Sequence, residues 1–193
     1  MEVESISQLI SGVIESDSFK NMLEKVNCNY PNLKQENHIR NLILEELNER
    51  FKGTDVKAFA EHPRENKTRA DLSVVNKNNP ESPIKIEFKY QFSGDFKSLS
   101  DYSFMIRNDF LKRNSDLFIL VIANWNIADK QKFDDTWKIT PSLNRYIAKS
   151  EIWKSNVLKS FEEFKDAKLK PLDAISISRP YLVEYHFYML QRI

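Results

Sequence analysis

Apolar residues recur along the chain with two periods. Ile6, Leu9, Ile10, Val13 and Ile14 fall at helical spacing and predict a helix over residues 4–15, followed by another over 18–27 that Asp17 could cap. A third helix is predicted over 35–51, where Ile39, Ile43, Leu47 and Phe51 form one stripe widened by Leu42 and Leu44. Gly53 is placed to end it. The period then shifts to two. Strands are predicted in "DVKAFAEHPR", "ADLSVVN" and "IKIEFKY", the last two forming a hairpin across the longer loop "KNNPES". A helix is predicted over 99–113. "DLFILVIANW" is apolar without interruption, as a strand covered on both faces would be. Helices are predicted over 129–137, 142–149 and 151–165, and strands in "AISIS" and "YLVEYHFYML", the second of which also reads as a buried helix.

The order of these elements implies an α/β fold with a central mixed sheet between helices. A chain of 193 residues fits one domain: an N-terminal helical extension (1–34), a core (35–125) and C-terminal helices and strands (126–193). Its apolar and aromatic content, 41% and 12%, is that of a globular protein. Three glycines and no GxGxxG or GxxxxGK[ST] pattern argue against a phosphate-cradling loop. With Cys28 the single cysteine, an internal disulfide and a CxxC metal site are excluded. The N-terminus carries acid ahead of its first apolar residues, unlike a secretory signal, and "LFILVIANW" is too short to span a bilayer. A soluble, cytoplasmic protein with no membrane partner is the expectation. Net charge is only +1, divided as −2 over residues 1–100 and +3 over 101–193. A basic face in the second half is one reading of this, and a solvated helix surface is the more ordinary one.

One strand breaks the expected pattern. In "PIKIEFKYQ", Ile84, Ile86, Phe88 and Tyr90 point one way while Lys85, Glu87, Lys89 and Gln91 point the other. Charges at Glu87 and Lys89 are costly if a helix covers that face. Acid-x-Lys tripeptides recur in this chain, as in Asp95-Phe-Lys97 and Glu163-Phe-Lys165, so the tripeptide alone is weak evidence. Glu87-Phe-Lys89 stands out because it lies in an alternating apolar strand and another acid, Asp71, heads the strand before it.

An acid opening one strand and acid-x-Lys in the next resembles the PD-(D/E)XK nuclease superfamily, whose fold is restriction-endonuclease-like. The resemblance covers about residues 35–125, through "ENHIRNLILEELN", "RADLSVVN", "IKIEFKYQ", "IRNDFLKR" and "DLFILVIA"; Ala70 stands where the motif has proline. It implies a nuclease that hydrolyses phosphodiester bonds with Mg²⁺ (or Mn²⁺), acting on DNA sooner than RNA, with restriction or anti-phage defence as the role by analogy. A homodimer or a larger defence complex is implied as a partner arrangement. Asp71, Glu87 and the Phe88 carbonyl are the implied metal ligands, a hard oxygen set suited to Mg²⁺. Lys89 would orient water or stabilise charge developing on phosphate.

Superfamily members often carry a glutamate on the preceding helix. At 100° per residue from Glu36, Ile43 falls at about 340° and Leu47 at about 20°, which puts Glu36 on the core-facing side; Glu46 flanks that side and Glu45 points away. Ordinary compensation of the helix dipole would also place an acid at Glu36. Gln91, Lys112 and Arg113, with Asp109 beside them, are the expected nucleic-acid contacts; a solvated strand end explains Gln91 as readily, and a charged outer helix face is the more ordinary reading of the last three. Trp125, Trp137 and Trp153 lie near basic segments, where stacking on unpaired bases competes with plain core packing. His38, His62 and His186 are scattered and read as surface or core residues. Two rivals remain: a non-catalytic nucleic-acid-binding or assembly module that retains the fold, and an unrelated α/β interaction protein with Arg69–Asp71 and Glu87–Lys89 as salt bridges.

Overall fold

The most apolar segment of the chain becomes the centre of the sheet. In the computed structural model, which describes residues 2–63, 68–95, 102–139 and 150–193, strand β4 (Leu117–Trp125) pairs in parallel with β3 (Asn79–Phe92) and antiparallel with β7 (Val183–Arg192). Among the described residues the sheet is mixed and seven-stranded, in the order β1-β2-β3-β4-β7-β5. β1 (Val56–Pro63) and β2 (Arg69–Asn76) extend it beyond β3, all antiparallel. β5 (Ala167–Pro171) and β6 (Ile175–Ile177) pair with successive stretches of β7, opposite 188–192 and 183–185.

Helices cover both faces. α1 (Val3–Ile14), α2 (Asp17–Asn29) and α3 (Glu36–Arg50) bury Ile10, Leu23, Ile39 and Ile43 against Ile86, Phe88, Val121 and Phe187. On the other face, α4 (Ser103–Ile106), the π-helix that continues it (Arg107–Lys112) and α6 (Ile152–Phe161) bury Ile106, Phe110, Trp153 and Val157 against Phe118, Leu120 and Leu190. The first two helices therefore share the main core with α3. Both strand positions of β4 meet protein, which is why its sequence shows no alternation.

Several boundaries moved for identifiable reasons. Ser16, rather than Asp17, caps α2 by accepting from the Phe19 amide at 3.2 Å. The β2–β3 turn is tight instead of long, because Asn76 accepts from the Asn78 amide and β3 already starts at Asn79. Pro80 and Pro83 sit in a stretch of β3 that β4 does not reach, where a missing amide costs little. Gly53 adopts φ 76°, as the end of α3 requires. "YLVEYHFYML" is strand, and β5 had no forecast because its charged alternation, "AKLKP", is short. The helix predicted over 142–149 lies outside the described residues, as does the start of that over 99–113.

α5 (Ile127–Trp137) carries a fully buried lysine. Lys130 is 0% exposed, pairs with Asp134 one turn on, and lies 5.1 Å from the ring centres of both Trp125 and Tyr181. Removing one partner strands a buried charge, so Lys130→Ala should lower unfolding free energy by about 3–5 kcal/mol. Lys52→Ala, at an exposed pair with Glu49, should change it by less than about 0.5 kcal/mol. Urea denaturation of both variants checks the contrast.

Candidate active site

The site forms where β2 and β3 part. Their ladder ends at Leu72↔Ile86, while β3 runs on to Phe92 with β4 as its strand partner. Lys85 shows which way the backbone faces: its amide donates to Asp116 Oδ2 (2.7 Å) and its carbonyl accepts from the Asp116 amide (2.8 Å), both on the β4 side. By strand alternation, Phe88 and Tyr90 turn their amides and carbonyls to the opposite, open edge. Unpaired strand amides there need acceptors, and two carboxylates supply them. Asp71 Oδ2 accepts from the Phe88 amide at 2.8 Å, and Glu36 Oε2 accepts from the Tyr90 amide at 2.8 Å.

Side-chain parity gathers the rest. Leu72 and Ile86 both face α1–α3, so Asp71 and Glu87 share the opposite face. That face lies under helix, and the Glu87 side chain is only 1% exposed. Its carboxylate accepts from Arg113 Nη1 at 2.7 Å. The Arg113 Nε lies 3.7 Å from Asp109 Oδ1. Lys89 Nζ lies 3.9 Å from Glu36 Oε2. At the rim, Lys34 Nζ approaches Gln91 Oε1 (3.5 Å) and Asp95 Oδ2 (3.3 Å).

Four carboxylates (Asp71, Glu87, Glu36, Asp109) thus stand around two cations (Lys89, Arg113). Burial pushes the Glu36 and Asp109 carboxyls above their ordinary range, and neighbouring Asp71 adds to the rise while Lys89 opposes it. The Arg113 guanidinium loses proton affinity by burial but regains more from Glu87 and Asp109, so its pKa moves up. A surplus of negative charge on one sheet face is what a divalent cation would neutralise. Asp71, Glu87 and the Phe88 carbonyl are hard oxygen donors of the kind Mg²⁺ takes. Among the described residues no group of three His, Cys, Asp or Glu side chains is arranged to hold a metal; a set of two carboxylates and a carbonyl does not need one.

The remaining expectations divide. Glu36 faces the site, Glu45 is exposed, and Glu46 accepts from Ser18. Gln91 is buried rather than at a solvated strand end, and Lys112 is exposed beside Phe104. Arg113 is engaged with Glu87 instead of standing as an outer-face contact, and no salt bridge joins Glu87 to Lys89 among those of the described residues. Trp125 and Trp153 are core residues, in line with plain core packing, whereas Trp137 is 69% exposed. His38 packs on Tyr30, and His186 lies against Trp153. Lys34 had no expected site role, and Asp109 was expected beside Lys112 and Arg113 as a nucleic-acid contact; the i,i+4 spacing of Asp109 and Arg113 was the available signal for their pairing.

No described helix is long and apolar enough to cross a membrane. Comparison with protein-family models, curated proteins and solved structures found no match.

The raised Glu36 pKa has a measurable consequence. A carboxyl whose folded pKa lies above its unfolded value withdraws stability as pH rises through the folded pKa. Without added metal, Glu36→Gln should therefore raise the melting temperature at pH 7, and the gain should vanish as pH falls below the unfolded carboxylate range. Melting curves of both proteins between pH 3 and 8 test this.

Proposed function

We propose that this chain is a metal-dependent nuclease that hydrolyses phosphodiester bonds, with DNA as its substrate ahead of RNA, on a restriction-endonuclease-like core. One observation carries the reading: β2 and β3 separate where Asp71 and Glu87 share a face, with the Phe88 carbonyl on the opened edge. The succession of α3, the antiparallel β1–β3, the α4/π segment and parallel β4 is also what the resemblance implies.

In this reading Asp71, Glu87 and the Phe88 carbonyl would hold the metal. A divalent cation in such a place supplies Lewis acidity and lowers the pKa of bound water. The chain's own groups do the rest. Asp71 is held by the Phe88 amide, so its carboxylate is oriented before any ligand arrives. Lys89, 35% exposed and not tied closely to any carboxylate, places a positive charge where charge develops on phosphate. Glu36, with its raised pKa and its contact to Lys89, is suited to hold or pass a proton at its Oε atoms. Lys112 and Lys34 extend the polar surface for backbone phosphates, with Gln91 beneath Lys34 at 3.5 Å. Defence against foreign DNA is the role by analogy alone.

The Arg113–Glu87 pair favours a second reading, in which the charges are structural and the module binds nucleic acid or a partner without cutting it. Purified protein incubated with plasmid, linear and single-stranded DNA and RNA, with Mn²⁺ or EDTA, separates the two. Lys89→Ala should slow cleavage roughly 100- to 1000-fold while Mn²⁺ binding and melting temperature stay near wild type. Glu36→Gln should slow it and Glu45→Gln should not. Wild-type cleavage by Lys89→Ala would end the nuclease assignment.

A further inference from the structure

We propose that Arg113 is an internal cation that occupies Glu87 until a divalent metal displaces it, an inference that rests on the nuclease reading above. Glu87 is the most enclosed acid of the site, with a side chain 1% exposed, and a carboxylate so placed is strongly destabilising without a counter-charge. Arg113 meets that need from a different element. It lies at the end of the π-helix, 43% exposed, with Nη1 2.7 Å from Glu87 Oε2. A side chain half in water can leave without repacking a core. Asp109, one turn earlier and 3.7 Å from the Arg113 Nε, keeps a hold on the guanidinium when Glu87 releases it. π-helical turns of this kind are uncommon and concentrate at functional sites.

The same carboxylate cannot serve both cations fully. Arg113 gives Glu87 its counter-charge in the metal-free site, and it weakens metal binding in doing so. Metal entry then frees a guanidinium beside the cleavage site, tethered by Asp109 and matched in shape to a phosphate. Arg113 is thus a positioning residue for Glu87 in one state and a phosphate contact in the other.

Mn²⁺ titration calorimetry on wild type, Arg113→Gln and Glu87→Gln, without nucleic acid, tests the exchange. Arg113→Gln should bind Mn²⁺ about tenfold tighter than wild type, the factor expected for removing one charge-assisted competitor, and Glu87→Gln should lose binding. Arg113→Gln should also melt lower than wild type without metal and recover most of the difference in saturating Mn²⁺. Equal Mn²⁺ affinity in wild type and Arg113→Gln would overturn the exchange while leaving the metal site standing. Absence of Mn²⁺ binding in both would overturn the exchange together with the nuclease reading. Should Arg113→Gln fail to fold, the wild-type protein still decides: the Arg113 Nε–H resonance should shift and its solvent exchange quicken as Mg²⁺ saturates the protein. An unchanged resonance at saturating Mg²⁺ would overturn the proposal.

Discussion

Everything in the candidate site depends on the open edge of β3. A strand that outruns its neighbour exposes amides that must be paired, and here the acceptors are side chains rather than another strand. Asp71 and Glu36, from β2 and α3, close the Phe88 and Tyr90 amides. That single requirement draws two carboxylates from different elements to one place and holds them there. It also leaves the Phe88 carbonyl on the same edge.

The second constraint is charge under cover. On the face of β3 that carries Glu87 and Lys89, Glu87 is closed off from water, so its charge needs a partner, while Lys89 stays 35% exposed. Arg113 answers Glu87 at 2.7 Å and Lys89 approaches Glu36, yet Asp71 and Asp109 leave the cluster short of positive charge. Burial is the main reason the Glu36 and Asp109 carboxyls sit above their ordinary range, and neighbouring Asp71 adds to it. A core built for stability alone would gain by replacing such residues with apolar ones. Stability alone does not account for so many charges on this face.

Much of this was legible in the sequence because period-two alternation is unambiguous in a half-polar strand. It assigned Glu87 and Lys89 to one face, and the helical wheel put Glu36 toward the sheet and Glu45 away from it. The burial of that face was not legible, since alternation looks alike whether the polar side meets water or a helix. Arg113 escaped for the same reason: on a helix surface it resembles any solvated cation, and only the tertiary fold brings it to Glu87, 26 positions earlier. The largely apolar segment "YLVEYHFYML" reads as either helix or strand, and pairing with β4 decided it. β5 depends on the same partner, as its five residues carry too little pattern to stand alone.

Anomalous diffraction from crystals of the protein grown with Mn²⁺ tests the central claim most directly, because it locates the ion without relying on activity. A peak is expected within bonding distance of the Asp71 and Glu87 carboxylates and the Phe88 carbonyl, with the Arg113 guanidinium withdrawn from Glu87. Crystals that bind Mn²⁺ elsewhere or not at all, with Arg113 still seated on Glu87, would contradict it.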